Sequence, residues 1–425
     1  MAVRRLAPQP ESSADPQSNA SVQHTTCCVV GGGPAGMVLT LLLARQGIPV
    51  TLLEAHTDFD RDFRGNTISP AVMELLDQIG LAERLLEQRH VKIHNFTVQT
   101  GSGPLVFADF TRLKTHYPYI TMLPQVHFLD FLAAEVLRYP HARIIMGATV
   151  QALIEGGGVV RGVRYQSHDG AHEIRALLTV GADGRFSRLR KLAGLQPRAS
   201  APPMDVFWFR LPRLPDDPES AGALFRFGSR SLLVLMDHFD YWDIGYIIAK
   251  GSYAQLRAAG LPALRRSIAQ IAPELADRLQ LLTSWQQGAL LSVESSHLAQ
   301  WFQPGLLLIG DAAHVMSPVG GIGINYAIQD AAAAARQLAV PLQTGRLSLR
   351  DLRTVQRRRE WPTRIIQAIQ GLTHQRIVSR ALSSAEPLCL PRLLRLALRL
   401  PWTSRIIGRL IAFGVAPVRP DERSF

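Results

Sequence analysis

The sequence predicts an α/β protein with a parallel sheet, a second antiparallel sheet and a helical C-terminal region. Three observations support this prediction. At three places a short apolar run, typical of a buried strand, ends at a glycine or an acid and leads at once into a helix. Residues 201–290 contain alternating, Pro-punctuated strand patterns, of which residues 223–227 and 232–236 are predicted to form a hairpin. Beyond residue 345, apolar residues recur at helical spacing.

The first strand–turn–helix unit lies near the N-terminus. Residues 26–30 (TCCVV) form the strand, residues 31–36 (GGGPAG) the turn, and residues 37–46 the helix. This is G-x-G-x-x-G in its proper context: the first glycine makes the tight turn, the second lets the backbone approach a pyrophosphate, and the third lets the helix pack on the strand. The residues predicted to contact the dinucleotide are Gly31, Gly33, Pro34, Ala35 and Gly36.

The next predicted strand, residues 48–53, ends at Glu54, which lies 23 residues after Gly31. An acid at this point is placed to hold the ribose hydroxyls of adenosine. The two features together predict a Rossmann-like adenine dinucleotide site. An ordinary Gly-rich turn would explain the glycines but would leave Glu54 unexplained.

The second unit is the apolar run 178–182, which ends at Asp183 and is followed by Gly184. Ser187 is expected to cap the helix that begins there. Asp183 is expected to face the same cofactor crevice.

The third unit runs from the apolar residues 305–309 into Asp311, then through residues 318–323 (PVGGIG) into a helix predicted over 324–338. Asp311 is suited to accept hydrogen bonds from sugar or ribityl hydroxyls. The glycines allow a flat ring to approach the backbone, and the helix start offers free N–H groups. The residues of this loop and helix start that are predicted to lie against the cofactor are Pro318, Gly320, Gly321, Gly323, Ile324 and Asn325.

Together the three units resemble the class A flavoprotein monooxygenases, the para-hydroxybenzoate hydroxylase-like family, over roughly residues 24–345. That family carries a glycine dinucleotide motif, a central D-G-x-x-S-x-x-R and a late G-D with P-x-x-G-x-G-x-N, matched here by residues 31–36, 183–190 and 310–325. The segment of Arg64, Pro70 and Glu74, in which the last two lie six and ten positions after the arginine, is similar to a family segment whose arginine lies beside the flavin. Gln125 is similar to a family residue near the ribityl chain.

The resemblance implies FAD as cofactor, NAD(P)H as electron donor and O2 as co-substrate. It implies hydroxylation of an aromatic or polyketide-like small molecule through a flavin C4a-hydroperoxide. The loop of Pro318, Gly320 and Gly321 would line the ring face where oxygen adds, and no side chain is assigned as a catalyst. Arg190 is interpreted either as a contact to the cofactor or NAD(P)H or as a helix-face charge. His314 is interpreted as structural, the alternative being proton transfer.

The substrate side depends on strand alternation. Trp208 and Arg210 share one face of a strand, and Phe207 and Phe209 share the other. The first pair offers stacking and an anion or carbonyl anchor, the alternative being Trp208 in the core with Arg210 at its rim. Further lining candidates are Met236, Trp242 and Tyr246.

The predicted domain boundaries follow these units. A disordered tail is expected over 1–22, an FAD-binding domain over 24–90, 123–200 and 291–345, a substrate domain over 92–122 and 201–290, and a helical region over 346–425.

The net charge of +12 is uneven: residues 341–425 hold 16 arginines, no lysine and five acids. The basic balance therefore gives no reason to expect nucleic acid. We expect the C-terminal helices to cap the flavin domain, the alternative being contact with an anionic membrane. Three cysteines without metal-ligand spacing predict no metal and fit a reducing cytoplasm.

Two rival functions remain, and the sequence argues against a third. A flavin oxidase or reductase of the same fold would need no oxygen insertion, and a flavin-loaded interaction protein would need no turnover. A halogenase would need a W-x-W-x-I-P segment, which residues 207–212 (FWFRLP) do not match.

Overall fold

The computed structural model describes residues 22–60, 67–100, 103–215, 217, 222–385, 396–398 and 400–418. It confirms the predicted α/β class with two main sheets. The predicted disordered tail lies outside the described residues except for Val22, which is already the first residue of the first strand.

In the described part of the chain the strands are, in order, β1 (Val22–Val30), β2 (Val50–Leu53), β3 (Thr67–Ile68), β4 (Val91–Ile93), β5 (Asn95–Thr100), β6 (Gly103–Asp109), β7 (Ile120–Met122), β8 (Ala142–Ile145), β9 (Thr149–Gly156), β10 (Val159–Ser167), β11 (Gly170–Gly181), β12 (Arg198–Ser200), β13 (Met204–Pro212), β14 (Gly222–Gly228), β15 (Ser231–Asp237), β16 (Tyr241–Ala249), β17 (Gly288–Ser292), β18 (Ser295–His297), β19 (Phe302–Gln303), β20 (Leu306–Leu308) and β21 (His314–Val315).

The helices are α1 (Pro34–Arg45), α2 (Pro70–Gln78), α3 (Ala82–Leu86), α4 (Gln125–Val136), α5 (Arg188–Leu192), α6 (Tyr253–Ile271), α7 (Gly323–Gln343), α8 (Leu349–Thr373), α9 (Ser379–Ser383) and α10 (Pro401–Phe413).

The first main sheet has the order β19-β20-β11-β1-β2-β8, with a β9–β10 hairpin added antiparallel to β11. Strands β20, β11, β1, β2 and β8 run parallel. Because helices cover both faces of such a sheet, its central strands are apolar on both sides. All four residues of β2 are buried, as are the last four of β1. The parallel arrangement brings the carboxyl ends of these strands to one edge.

The second main sheet has the order β17-β13-β16-β15-β14-β5-β6. The hairpin predicted over residues 223–236 is present as the antiparallel pair β14 and β15. One face of this sheet packs against α6 through a buried cluster that contains Phe207, Phe209 and Tyr246. The opposite face carries Val206 and Val234 and forms a cluster that also includes Val319. This second face therefore looks toward the predicted flavin loop.

The C-terminal helices pack against the rest of the chain. Helix α8 packs on α7, and α10 packs on β6. The approach at α10 is close, since a Cβ added to Gly408 would lie 2.6 Å from the carbonyl oxygen of Asp109. The packing of α8 on α7 supports the expected cap on the flavin domain, whereas α10 lies on the second sheet. Residues 386–395, 399 and 419–425 of the predicted helical region lie outside the described residues. Among the residues that the structure describes, no helix has the length and apolar character needed to span a bilayer.

Candidate functional site

The three sequence motifs meet at the carboxyl edge of the parallel sheet, because the backbone ladder continues past the strand ends. The amide of Gly31 donates to the carbonyl of Leu53 (2.8 Å), and the amide of Ala182 donates to the carbonyl of Val30 (2.7 Å). The amide of Ile309 donates to the carbonyl of Gly181 (2.9 Å). The start of each motif is thereby fixed relative to the others.

The glycines of the first motif differ in what surrounds them. Gly31 has a φ of +105°, and a Cβ there would lie 2.4 Å from the carbonyl oxygen of Ala182. A Cβ on Gly36 would lie 1.9 Å from the carbonyl oxygen of Gly31. A Cβ on Gly33 would meet nothing within 4 Å. Gly31 and Gly36 are thus explained by the packing of the protein, while Gly33 faces open space at the start of α1, where Pro34 occupies the first turn and Ala35 is buried.

Glu54 lies at the end of β2 and is buried. Its Oε2 accepts the amide hydrogen of Gly32 (2.6 Å), and its Oε1 accepts that of His56 (3.0 Å) and lies 2.7 Å from Nδ1 of His56. The carboxylate therefore holds the glycine turn in place. Its predicted contact with ribose hydroxyls stays a prediction.

Asp183 is used by the protein itself. Its carboxylate accepts hydrogen bonds from the Ser187 hydroxyl (2.5 Å) and from the amides of Arg188 (2.7 Å) and Leu189 (3.0 Å). Ser187 caps α5 as predicted, accepting from the amide of Arg190. The observed role of Asp183 is thus to bind the N-terminus of α5, and the predicted cofactor contact gains no support from these bonds.

Arg190 links the second motif to the third. Its guanidinium donates to the carbonyls of Ala312 (3.0 Å) and Arg185 (2.6 Å). The side chain is 7% exposed, and burial lowers its pKa. Arg190 is therefore not a helix-face charge: it is buried and binds the turn that contains Asp311. Its predicted contact with a cofactor stays a prediction.

The third motif forms a turn followed by α7. Gly320 and Gly321 both have positive φ, of 84° and 63°, which glycine adopts readily. Asn325 is buried and donates to the carbonyls of Gly321 (3.0 Å) and Thr67 (3.3 Å), while its Oδ1 accepts the amide hydrogen of Ser69 (2.8 Å). Asn325 therefore joins the loop of residues 318–323, which we call the flavin-ring loop, to β3. Gly323 and Ile324 form the first turn of α7.

A buried ionic cluster underlies Gly310 and was not predicted from the sequence. Asp330 is fully buried and accepts from the amide of Gly310 (3.0 Å) and from Nε of Arg359 (2.7 Å), and it lies 2.6 Å from Nε2 of His314. Burial opposes ionisation of Asp330, but His314 and Arg359 more than offset it, so the pKa of this carboxyl is lowered. His314 is thus structural, as expected.

Two predicted flavin residues are placed less fully. Arg64 lies outside the described residues. Gln125 is the first residue of α4, three positions beyond β7, which pairs with β3. It is therefore close in the chain to β7, the pairing partner of the strand that contacts the flavin-ring loop.

The substrate candidates divide between the two faces of the second sheet. Trp208 and Met236 pack in the cluster that includes Val319. The Trp208 ring lies over Gly245, so that a Cβ added to Gly245 would be 3.0 Å from the ring. Tyr246 and Trp242 belong to the opposite cluster, under α6. Tyr246 bonds Ser267 (2.8 Å). Tyr246 and Trp242 therefore do not share a face with Trp208, and their predicted contact with substrate stays a prediction.

Arg210 lies on the Trp208 face but is engaged by its neighbours. Its Nε donates to Asp243 (3.3 Å), and its guanidinium lies 4.8 Å from the centre of the Tyr241 ring. The predicted anion anchor is consequently already paired with a buried carboxylate.

Comparisons with known proteins agree with this site. A family model described as FAD binding domain matches residues 24–368. The chain is 35% identical to a 6-methylpretetramide 4-monooxygenase from Streptomyces rimosus over 95% of this chain and 96% of that protein. It is 30% identical to 3-demethoxyubiquinol 3-hydroxylase from Escherichia coli K12, covering 72% of this chain and 78% of that protein.

Among solved structures, p-nitrophenol 4-monooxygenase from Pseudomonas putida DLL-E4 superimposes with a TM-score of 0.74 at 21% identity, covering 91% of this chain and 97% of that one. This likeness concerns the fold. The family match and the full-length relative show that the chain belongs to the FAD-dependent aromatic hydroxylases and is an FAD-dependent monooxygenase.

Proposed function

We propose that the chain hydroxylates an aromatic ring of an apolar polyketide-like molecule, with NAD(P)H as electron donor and O2 as the source of oxygen. The observation that carries this proposal is the position of the flavin-ring loop, whose Val319 packs in the same cluster as the sheet face of Trp208 and Met236. A ring held between these two surfaces would be stacked, dry and adjacent to the cofactor. The relative named for 6-methylpretetramide supports the substrate class.

The residues present fit FAD. The open side of Gly33 leaves room for a phosphate at the N-terminus of the 12-residue helix α1, where free amides favour an anion. Glu54 lies at the adjacent strand end, and Asp311 lies at the turn before the flavin-ring loop. We propose that Glu54 binds the ribose hydroxyls and that Asp311 binds the ribityl chain. FAD, when bound, supplies the oxygen-activating chemistry. The positive φ of Gly320 and Gly321 shapes the backbone against which its ring would lie.

The N-terminus of α7 gives the loop its electrostatic role. Gly323, Ile324 and Asn325 begin a helix of 21 residues, and its first amides and partial positive charge point toward the loop side. We propose that this end of the helix stabilises negative charge on the ring edge of the reduced cofactor.

On the substrate side, we propose that Trp208 stacks on the substrate and that Met236 lines the apolar wall. Arg210 lies two positions farther along the same strand face, where its bond to Asp243 fixes its guanidinium. A fixed, partly exposed donor of this kind suits a neutral carbonyl or phenol better than an anion, because its charge is already balanced by Asp243.

The compartment that we propose is a reducing cytoplasm. Cys27 and Cys28 are free and buried side by side in β1, and burial raises the pKa of the Cys28 thiol to about 12. Such thiols behave as small apolar side chains and not as a redox pair.

The test is isotopic. The purified FAD-loaded chain is incubated with 6-methylpretetramide, oxygen-18 gas and either NADH or NADPH. The molecular mass of the product is then measured by mass spectrometry. One oxygen-18 atom in the product is expected. Consumption of NAD(P)H with release of hydrogen peroxide and no labelled product would instead indicate an oxidase or reductase.

A further inference from the structure

Helix α8 and the turn after it contact the segment that leads into the flavin-ring loop through three polar side chains. The amide of Gln367 donates to the carbonyl of Val315 (2.9 Å). The amide of Gln370 donates to the carbonyls of Ser317 and Val319, each at 3.0 Å. Nε2 of His374 lies 2.9 Å from the hydroxyl of Ser317. These positions recur at helical spacing, so one face of α8 holds residues 315–319.

His374 differs from the two glutamines in two ways. Its ring can gain or lose a proton, and the backbone leaves α-helical geometry at this residue. The residues His374–Val378 form a π-helical turn, a geometry that occurs frequently at functional sites. The ring is buried, and burial lowers its pKa, which keeps it neutral near pH 7. A neutral Nε2 can accept the Ser317 hydroxyl hydrogen.

The hydroxyl of Ser317 connects the ring of His374 to the flavin-ring loop. Its oxygen also accepts the amide hydrogen of Val319 at 3.3 Å, within the turn that contains Pro318. Val319 in turn packs in the cluster that includes Trp208 and Met236. A chain of contacts therefore runs from His374 through Ser317 and Val319 to the substrate face of the second sheet.

We propose that His374 and Ser317 are a positioning pair that fixes the flavin-ring loop between cofactor and substrate and thereby keeps NAD(P)H oxidation coupled to hydroxylation. This inference rests on the proposed placement of the flavin ring at residues 318–323. Neither residue is assigned a contact with substrate or a chemical step. A loop that is free to shift would still bind FAD but would present the ring and the substrate at a variable distance.

The experiment uses the full-length FAD-loaded chain and four substitutions. His374→Leu removes the acceptor, Ser317→Ala removes the hydroxyl, and His374→Gln keeps a polar atom at similar reach. Gln375→Ala changes the adjacent exposed residue and serves as the control. The measurements are the visible spectrum of bound FAD, the Kd of the apoprotein for FAD, and hydrogen peroxide released per NAD(P)H consumed.

We expect His374→Leu and Ser317→Ala to shift the flavin spectrum and to raise the peroxide fraction by about fivefold, the change that the loss of one hydrogen bond allows. The double variant should be no worse than either single variant, since both remove the same link. His374→Gln should restore most of the coupling, and Gln375→Ala should match wild type.

A wild-type spectrum and wild-type coupling in both His374→Leu and Ser317→Ala would overturn the inference while leaving the proposed function intact. Additive effects in the double variant would also overturn it. Wild-type protein that binds FAD but gives no labelled product would overturn the proposed function, and with it the coupling that this pair is proposed to protect. If His374→Leu does not fold, the comparison of Ser317→Ala with wild type decides the matter.

Discussion

Nε of Arg359 donates to Oδ1 of Asp330 at 2.7 Å, and neither side chain is more than 1% exposed. The pair joins α8 to α7 directly beneath Gly310, whose amide bonds the other oxygen of the same carboxylate. Gly310 is therefore supported by an ion pair whose nearer member, Asp330, lies 20 positions farther along the sequence.

The first prediction concerns this pair. Replacing Arg359 with Met removes the guanidinium that pairs with the fully buried Asp330 carboxylate, so the free energy of unfolding should fall by about 3–5 kcal/mol. Urea unfolding followed by circular dichroism measures the change. Arg358→Met, at an exposed neighbouring position, is the control and should stay within about 0.5 kcal/mol of wild type. Equal stability of the two variants would show that the pair is not structural.

The second prediction separates the glycines of the first motif. Gly36→Ala forces a Cβ into the carbonyl of Gly31 at 1.9 Å and should destabilise the apoprotein by more than about 1 kcal/mol. Gly33→Ala meets no protein atom within 4 Å, so the apoprotein should keep its stability while its Kd for FAD rises by about tenfold or more.

Thermal unfolding of apoprotein and fluorescence titration with FAD give the two quantities. Gly371→Ala, in α8, also meets nothing within 4 Å and is the matched control, with unchanged Kd. Unchanged FAD affinity in Gly33→Ala would argue against a phosphate at this position.

The third prediction concerns the two faces of the second sheet. Trp208→Ala should raise KM for the aromatic substrate by about tenfold, because a stacking surface of this size contributes at least 1 kcal/mol. Tyr246→Phe should leave KM unchanged and lower stability by about 1 kcal/mol, since it loses only the bond to Ser267. Steady-state kinetics and urea unfolding of both variants distinguish the faces. A raised KM in Tyr246→Phe would contradict the assignment.

The fourth prediction is a pH dependence at the outer side of the second sheet. Asp217 accepts two hydrogen bonds from Arg278 (2.5 and 2.7 Å) and one from Nε1 of Trp242 (2.9 Å). The bonds from Arg278 are the main cause that holds the pKa of Asp217 well below its ordinary value. Because the folded state lowers this pKa, the stability gained is complete above about pH 4 and is lost as the pH falls toward the folded pKa.

Asp217→Asn should accordingly be less stable than wild type at pH 7, by about 1–3 kcal/mol, and the difference should narrow steadily below about pH 4. Urea unfolding from pH 7 to pH 2 measures it. Asp240→Asn is the control, because that residue forms an exposed pair with Arg89 and should change stability little at any pH. A gap between wild type and Asp217→Asn that is constant across this range would contradict the pKa shift.

Local patterns were sufficient to predict the strand ends. The runs before Gly31, Asp183 and Asp311 are apolar because they form the core of a parallel sheet, and the motif spacing fixed their helices. The hairpin of β14 and β15 was equally visible, because its turn lies between two apolar runs. The fold class and the meeting of the motifs were thus accessible from sequence.

The orientation of single strands was not accessible in the same way. Alternation separates Trp208 from Phe207, but the register between β13 and β16 decides that Tyr246 lies opposite Phe207 and shares its face. Long-range partners are hidden for a similar reason: nothing near Asp330 specifies that Arg359 will reach it, and the bonds of Gln370 and His374 depend on where α8 packs.

Because α8 contacts the third motif and α7, the segment that contains the nucleotide-binding motifs cannot be moved into another protein without losing part of its support. A hybrid enzyme that joined residues 24–345 of this chain to the C-terminal part of another protein would keep every recognisable motif. It would nevertheless lose the guanidinium of Arg359 that pairs with Asp330. It would also lose the hydrogen bonds that Gln370 donates to the carbonyls of Ser317 and Val319. Exchange of segments between such enzymes should therefore succeed only when the crossover leaves α7 and α8 from the same parent.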